Sequence, residues 1–233
     1  MRDKLKDKKY FEEFVNQTEK RVSNFSSKLN NNEVKEDRIS NVEGKINSLK
    51  YELIEANYSR GEELKNITAF FYDYLTGFLK NWESSNYIGL LWNLSISIML
   101  EIDDTEFNKL VQLVLKDNLN DYLIDFLVYS KDNTKDIKHA NFEFDTPYKS
   151  LAEVISLAKN DKQESVNRLK IYLEKEWYKG HSDMGWYNSH KESMLLYSGY
   201  WCWEAGALVK ILGLDDRILE DQQYYPYDMV HFK

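Results

Sequence analysis

The sequence predicts an all-α protein, an irregular multi-helix array of packed antiparallel helix pairs, and three observations predict it. Apolar residues recur at three- and four-residue intervals along most of the 233 residues, the period of helices with one buried face. Only 2 Pro and 9 Gly interrupt the chain, so few points exist where a helix must stop. At 42% hydrophobic and 15% aromatic residues it can fill a sizeable core, which argues against disorder.

Tyr10, Phe11, Phe14, Val15, Val22, Phe25 and Leu29 mark an amphipathic helix over about residues 8–29, ended by Asn30, Asn31 and Asn32. Val34, Ile39, Val42, Ile46, Leu49, Leu53, Ile54 and Tyr58 keep that period and read as one long helix with Gly44 as a tolerated weak point. Ser59 and Glu62 have capping-box spacing, so a new helix is expected to start there and run through Phe78. The uncharged stretch 84–100 contains Asn86 and Asn93 and falls short of the ~20 apolar residues that span a bilayer. It reads as a buried central helix, about 87–102.

Asp104 or Thr105 can cap a helix to about Leu115, and Asn118 another to about Tyr129. Residues 130–146 are polar and aperiodic apart from Phe142 and Phe144, the pattern of a long surface loop and the best candidate for a mobile element. Thr146 before Pro147 signals one helix start, and Asp161 with Glu164 signals another, running to about Tyr178. Met194 to Leu212 reads as an apolar helix that Gly213 closes, and Asp215 as the cap of a short helix to Leu219. The expected division is an N-terminal helical domain, 1–82, and a C-terminal one, 83–233, packed as one compact unit.

Charge narrows the function. Residues 1–100 hold 15 basic and 15 acidic side chains; residues 101–233 hold 16 and 24, the whole net charge of −8. Such a surface repels phosphate backbones and attracts basic proteins, so a basic protein partner is favoured over direct nucleic-acid binding. The helix predicted from Asn118 places Asp121 and Asp125 opposite its apolar face. With Asp117, and with Asp103, Asp104 and Glu106 nearby in sequence, they read either as a solvated face or as an acidic docking surface. Met1 to Tyr10 alternates basic residues with Asp and has no apolar h-region, so a cytoplasmic location is expected. The single cysteine, Cys202, reads as a small buried apolar residue.

No HExxH, paired CxxC, Walker loop, GxSxG or GxGxxG pattern occurs, and no cofactor is called for. Titratable groups gather only in the C-terminal quarter, at His181, Asp183, His190, Glu204, Asp215, Asp216, Asp228 and His231. A metal-dependent hydrolase using His181, His190 and Asp228 is one alternative, although the nine-residue gap between the histidines lies on no common helical face. A general helical scaffold for peptides is another. Glu204, on an apolar helix, must be paired or exposed, and a pairing that clamps its helix fits better than acid or base work.

Tyr197 to Asp216, YSGYWCWEAGALVKILGLDD, and Tyr224 to Phe232, YYPYDMVHF, strongly resemble the C-terminal domain of the PoNi immunity proteins. RDKLKDKKYF near the start and YELIEANYSRGEEL, Tyr51 to Leu64, resemble the N-terminal domain of that family, and WYKGHSDMGWYNSH, Trp177 to His190, fits its pattern. The resemblance implies a binding protein that protects a bacterium against PoNe-type toxins, DNases of the PD-(D/E)xK superfamily. It also implies that the shared motifs determine the fold rather than contact the toxin: Tyr58, Ser59 and Gly61 at a helix junction, Trp201 and Glu204 in a packed helix, Asp215 beyond it, and Pro226 and Asp228 in a closing turn. The partner implied is a cognate nuclease toxin, with no membrane and with self-association left open.

Overall fold

Helix α1, Lys8–Asn30, starts where the Asp7 carboxylate accepts from the Tyr10 N–H and stops at Asn31, as the three asparagines predict. A short 3-10 turn, Glu36–Arg38, precedes α2, Ile39–Arg60, and α3 covers Leu64–Lys80. Helix α2 packs against both α1 and α3. Phe11, Phe14 and Val15 of α1, Leu49, Ile54 and Tyr58 of α2, and Ile67, Phe71, Leu75 and Phe78 of α3 form the apolar interior of this part. The computed structural model describes residues 1–131 and 137–233 of the chain.

The capping box expected at Ser59 does not form, because Gly61 stops α2 there instead. Gly61 takes φ +93°, and the Gly61 and Glu62 N–H groups donate back to the carbonyls of Tyr58 (3.1 Å) and Asn57 (3.0 Å), a Schellman closure. Ser59 then serves other segments. The hydroxyl donates to the Ser198 carbonyl (3.0 Å), and the carbonyl accepts from the Arg2 and Asp3 N–H groups (2.9 and 3.1 Å). Arg2 lies over the Tyr58 ring at 4.5 Å and donates to the Tyr58 and Glu62 carbonyls, covering the last turn of α2.

Helix α4, Tyr87–Met99, is buried at almost every position. Two of its polar residues bond within the helix: the Asn93 amide donates to the Gly89 carbonyl (2.7 Å) and the Ser95 hydroxyl to that of Leu91 (2.8 Å). Among the described residues no helix is long and apolar enough to cross a membrane. Around α4 lie α5, Asp104–Lys116, α6, Tyr122–Lys131, and α10, Trp203–Leu212. Helix α7, Ser150–Leu157, bridges α6 and α8, Lys162–Ile171; a π-turn, Tyr172–Glu176, then leads into α9, Trp177–Gly180. Helix α11, Tyr227–Val230, packs on α10. No strand occurs among the described residues.

Three more expectations change. Pro147 does not open a helix: α7 begins at Ser150, the Thr146–Pro147 peptide is cis, and the buried ring sits where a Cβ on Gly180 would come within 2.6 Å of it. Met194 to Cys202 is not helical, since Gly199 takes φ +137° and the Tyr197 N–H donates to the Tyr10 hydroxyl (3.0 Å). Of the expected loop 130–146, residues 132–136 lie outside the described residues, Ser130 and Lys131 complete α6, and 137–146 follow without regular structure.

By contacts the chain forms two compact units, Met1–Glu83 with Asn188–Tyr200, and Ser84–Tyr187 with Trp201–Lys233. The first holds 16 basic and 16 acidic side chains; the second holds 15 and 23 and carries the whole net charge of −8.

Candidate interaction surface

Six carboxylates of the acidic unit are the candidates for an acidic docking surface. Asp103 is exposed at the start of α5 and accepts from the Thr105 and Glu106 N–H groups (3.0 and 3.1 Å), so it, rather than Asp104 or Thr105, is the cap. Asp104 is 84% exposed, 3.7 Å from Lys131, and Glu106 pairs with Lys109 at 2.6 Å. Asp117, half-exposed, ends α5. Asn118 then takes φ +49° rather than capping the next helix.

Asp121 and Asp125 do not face solvent as the helical period implies. Asp121 is 1% exposed and caps α6 through the Ile124 N–H (2.8 Å), while its other oxygen accepts from the Glu143 N–H (2.8 Å). Asp125 accepts from the Lys138 and His139 N–H groups (2.9 Å each) and contacts the His139 ring. Burial pushes the Asp121 carboxyl above the usual range against these hydrogen bonds. The two carboxylates therefore hold the 137–144 segment onto α6, which is why the face that periodicity leaves open is covered. Asp103, Asp104, Glu106 and Asp117 remain on the surface.

Glu204 is fully buried and paired. Its Oε1 accepts from the Trp177 Nε1–H (2.8 Å) and the Tyr172 hydroxyl (3.3 Å), which ties α10 to the π-turn. The turn makes this possible: residues five apart in an α-helix point about 140° away from each other, whereas an i→i+5 turn brings them toward one face. Burial raises the Glu204 carboxyl to about 7, against hydrogen bonds from its own backbone N–H, the Cys202 thiol, Trp177 and Tyr172. Cys202 is itself fully buried and its thiol pushed up by that burial.

Both histidines of the metal alternative carry other hydrogen bonds. His181 Nδ1 must donate to the Trp177 carbonyl (2.7 Å), so Nε2 accepts from the Tyr148 hydroxyl (2.8 Å), and burial lowers its pKa and keeps the ring neutral. His190 contacts the Tyr200 hydroxyl at 3.1 Å and belongs to the other compact unit, while Asp228 is exposed on α11. Among the described residues no group of three or more His, Cys, Asp or Glu is arranged to hold a metal ion. Trp201 is buried ahead of α10, and Pro226 is buried against it: a Cβ on Gly206 would come within 2.7 Å of the proline ring. Asp215 is exposed, pairs with the Arg217 guanidinium and accepts only weakly from its N–H (3.4 Å), so it caps little.

Two family models match the chain: "PoNe immunity protein (PoNi), N-terminal" over residues 2–112 and "PoNe immunity proteins (PoNi), C-terminal" over residues 119–229. The chain belongs to the PoNi family of immunity proteins. The first PoNi model ends at residue 112, within α5, and the second begins at 119, in the link to α6, both inside the acidic unit, while Asn188–Tyr200 of the C-terminal model belongs to the N-terminal unit. The crystal structure of protein PA2201 from Pseudomonas aeruginosa shares the PoNi chain's fold, with a TM-score of 0.59 at 16% identity over 83% of this chain and 74% of that one. No curated protein matches the PoNi chain.

Proposed function

We propose that this PoNi protein binds a cognate PoNe-type DNase toxin and neutralises it without catalysing any reaction, acting in the cytoplasm of a bacterium exposed to competitors. The observation that carries the reading is the charge partition: all of the net −8 resides in one compact unit, within a chain of an immunity family. A nuclease must present a basic cleft to DNA, and carboxylates can occupy the places that phosphates would take. Asp103, Asp104, Glu106 and Asp117 are the proposed contacts; an interface of about 1,600 Å² suffices for tight binding. The cellular test is co-expression. A bacterial host carrying an inducible cognate PoNe-type nuclease domain is expected to grow only when this protein is also made, and unrestored growth at matched expression would remove the proposal.

A further inference from the structure

Each compact unit exposes apolar side chains among charges of one prevailing sign, and the two signs are opposite. In the first unit, residues 4–10 and 191–196 hold five lysines against two carboxylates, Asp7 and Glu192. The fold brings these stretches together. The Tyr10 hydroxyl accepts from the Tyr197 N–H (3.0 Å), and the Asp3 carboxylate accepts from the Leu5 and Lys6 N–H groups (2.7 and 3.0 Å) and from the Tyr197 hydroxyl. Lys6 reaches over the Tyr10 ring at 5.0 Å. Burial lowers the His190 pKa, and Lys191 and Lys6 lower it further, which places both ammoniums around that ring. Asp7 serves as the cap of α1, and Glu12 comes no nearer to Lys8 than 3.9 Å. Among these lysines Leu5, Leu196 and Met194 are 36%, 52% and 62% exposed, and clustered apolar side chains rimmed by charge mark a contact surface.

A surface that fits this patch belongs to the chain itself. Residues 103–117 hold four carboxylates against two lysines. Leu115 follows Asp104 by about three turns and about 20° around α5, so both stand on one side of that helix, 60% and 84% exposed. Among the described residues Met194 and Leu115 are the most exposed large apolar side chains of their respective units, and the charges that prevail around one are opposite to those around the other. Lysine stems can lie along Leu115 while their ammoniums reach the carboxylates. Charge also selects how two copies meet. A two-fold contact between acidic units opposes −8 to −8, and one between lysine patches opposes like charges too, whereas a head-to-tail contact sets unlike signs together.

We propose that this protein self-associates head to tail, with the lysine patch around Met194 of one copy seated on the α5 carboxylates around Leu115 of the next. The contact needs no nuclease. Where the neutralisation reading holds it adds regulation, because a second copy covers carboxylates that the toxin would take and the two compete. The test is sedimentation velocity in about 20 mM salt on wild type and two variants. One carries Lys6→Gln, Lys8→Gln, Lys9→Gln and Lys191→Gln; the other carries Asp103→Asn, Asp104→Asn, Glu106→Gln and Asp117→Asn. Wild type is expected to exceed the 27.8 kDa of one chain increasingly with concentration and to return to it in about 0.5 M salt. Each variant alone is expected to stay at 27.8 kDa, and their equimolar mixture to form a species of two chains and none larger, because it holds one intact pair of faces. Wild type that stays at 27.8 kDa in low salt overturns the proposal, and its sedimentation with phosphatidylglycerol vesicles would give the lysine patch to a lipid surface instead. Either variant associating like wild type, or a monomeric mixture beside an associating wild type, overturns the head-to-tail pairing. None of these samples contains nuclease, so the neutralisation reading stands or falls separately.

Discussion

Glu204→Ala is expected to lower the unfolding free energy by about 3–5 kcal/mol, because it leaves the Trp177 indole N–H and Tyr172 hydroxyl buried without their acceptor and opens a void in the core. Urea unfolding at pH 6 measures it. Glu204→Gln separates charge from shape, and its sign follows from the raised pKa. The folded protein keeps the Glu204 proton up to about pH 7, whereas the unfolded chain releases it near the ordinary 4.5. The contribution to stability is therefore full below pH 4.5 and is lost as pH rises toward 7. Relative to wild type, Glu204→Gln is expected to gain about 3 kcal/mol between pH 4.5 and 8, since one pKa unit corresponds to about 1.4 kcal/mol. A pH-independent difference would show that the carboxyl is not held protonated. Glu55, buried and raised to about 8 by that burial against a hydrogen bond from Ser198, adds a loss of the same sign over a window reaching one unit higher.

The second large effect concerns association. Converting Asp103, Asp104 and Asp117 to Asn and Glu106 to Gln is expected to slow association with the nuclease by about tenfold or more at low salt, with little change in dissociation. The variant's rate should also depend less on ionic strength, because fewer opposed charges remain to be screened. Stopped-flow measurements between 20 and 300 mM salt, a range of roughly 20 to 6 Å in screening length, give both quantities. Equal rates for variant and wild type across that range would move the docking surface away from α5. Asp121 and Asp125 stay out of the set because changing them would release the 137–144 segment and confuse docking with folding.

The helices were legible where one apolar face is enough to specify them. Phe11, Phe14 and Val15 mark α1 and Ile67, Phe71 and Leu75 mark α3, because each helix buries a single stripe. Local pattern failed where a distant segment decided the outcome. Ser59 and Glu62 have the spacing of a helix start, but Gly61 between them is a helix stop, and Ser59 is claimed by Ser198, 139 positions away. Asp121 and Asp125 stand on the polar side of α6 in the sequence, yet the 137–144 segment covers that side and uses them as acceptors. Met194 to Tyr200 is apolar enough for a helix, yet it belongs to the first unit, where the Tyr197 N–H donates to the Tyr10 hydroxyl instead of to a helical carbonyl.

For the candidate site, net charge was legible from the start, since counting needs no geometry. That Glu204 must be paired or exposed, with a helix-clamping pairing the better fit, also followed from placing a carboxylate on an apolar helix. Its partners did not, because Tyr172 and Trp177 meet it only through the π-turn, and five-residue spacing gives no such sign.

The central claim is that this chain covers a nuclease and stops it from reaching DNA. Its most direct measurement is plasmid cleavage by a purified cognate PoNe-type nuclease domain, followed as this protein is added. Activity is expected to fall linearly to background at one equivalent, with no change in the nuclease's own chain length. Full cleavage persisting at a tenfold excess would contradict the account.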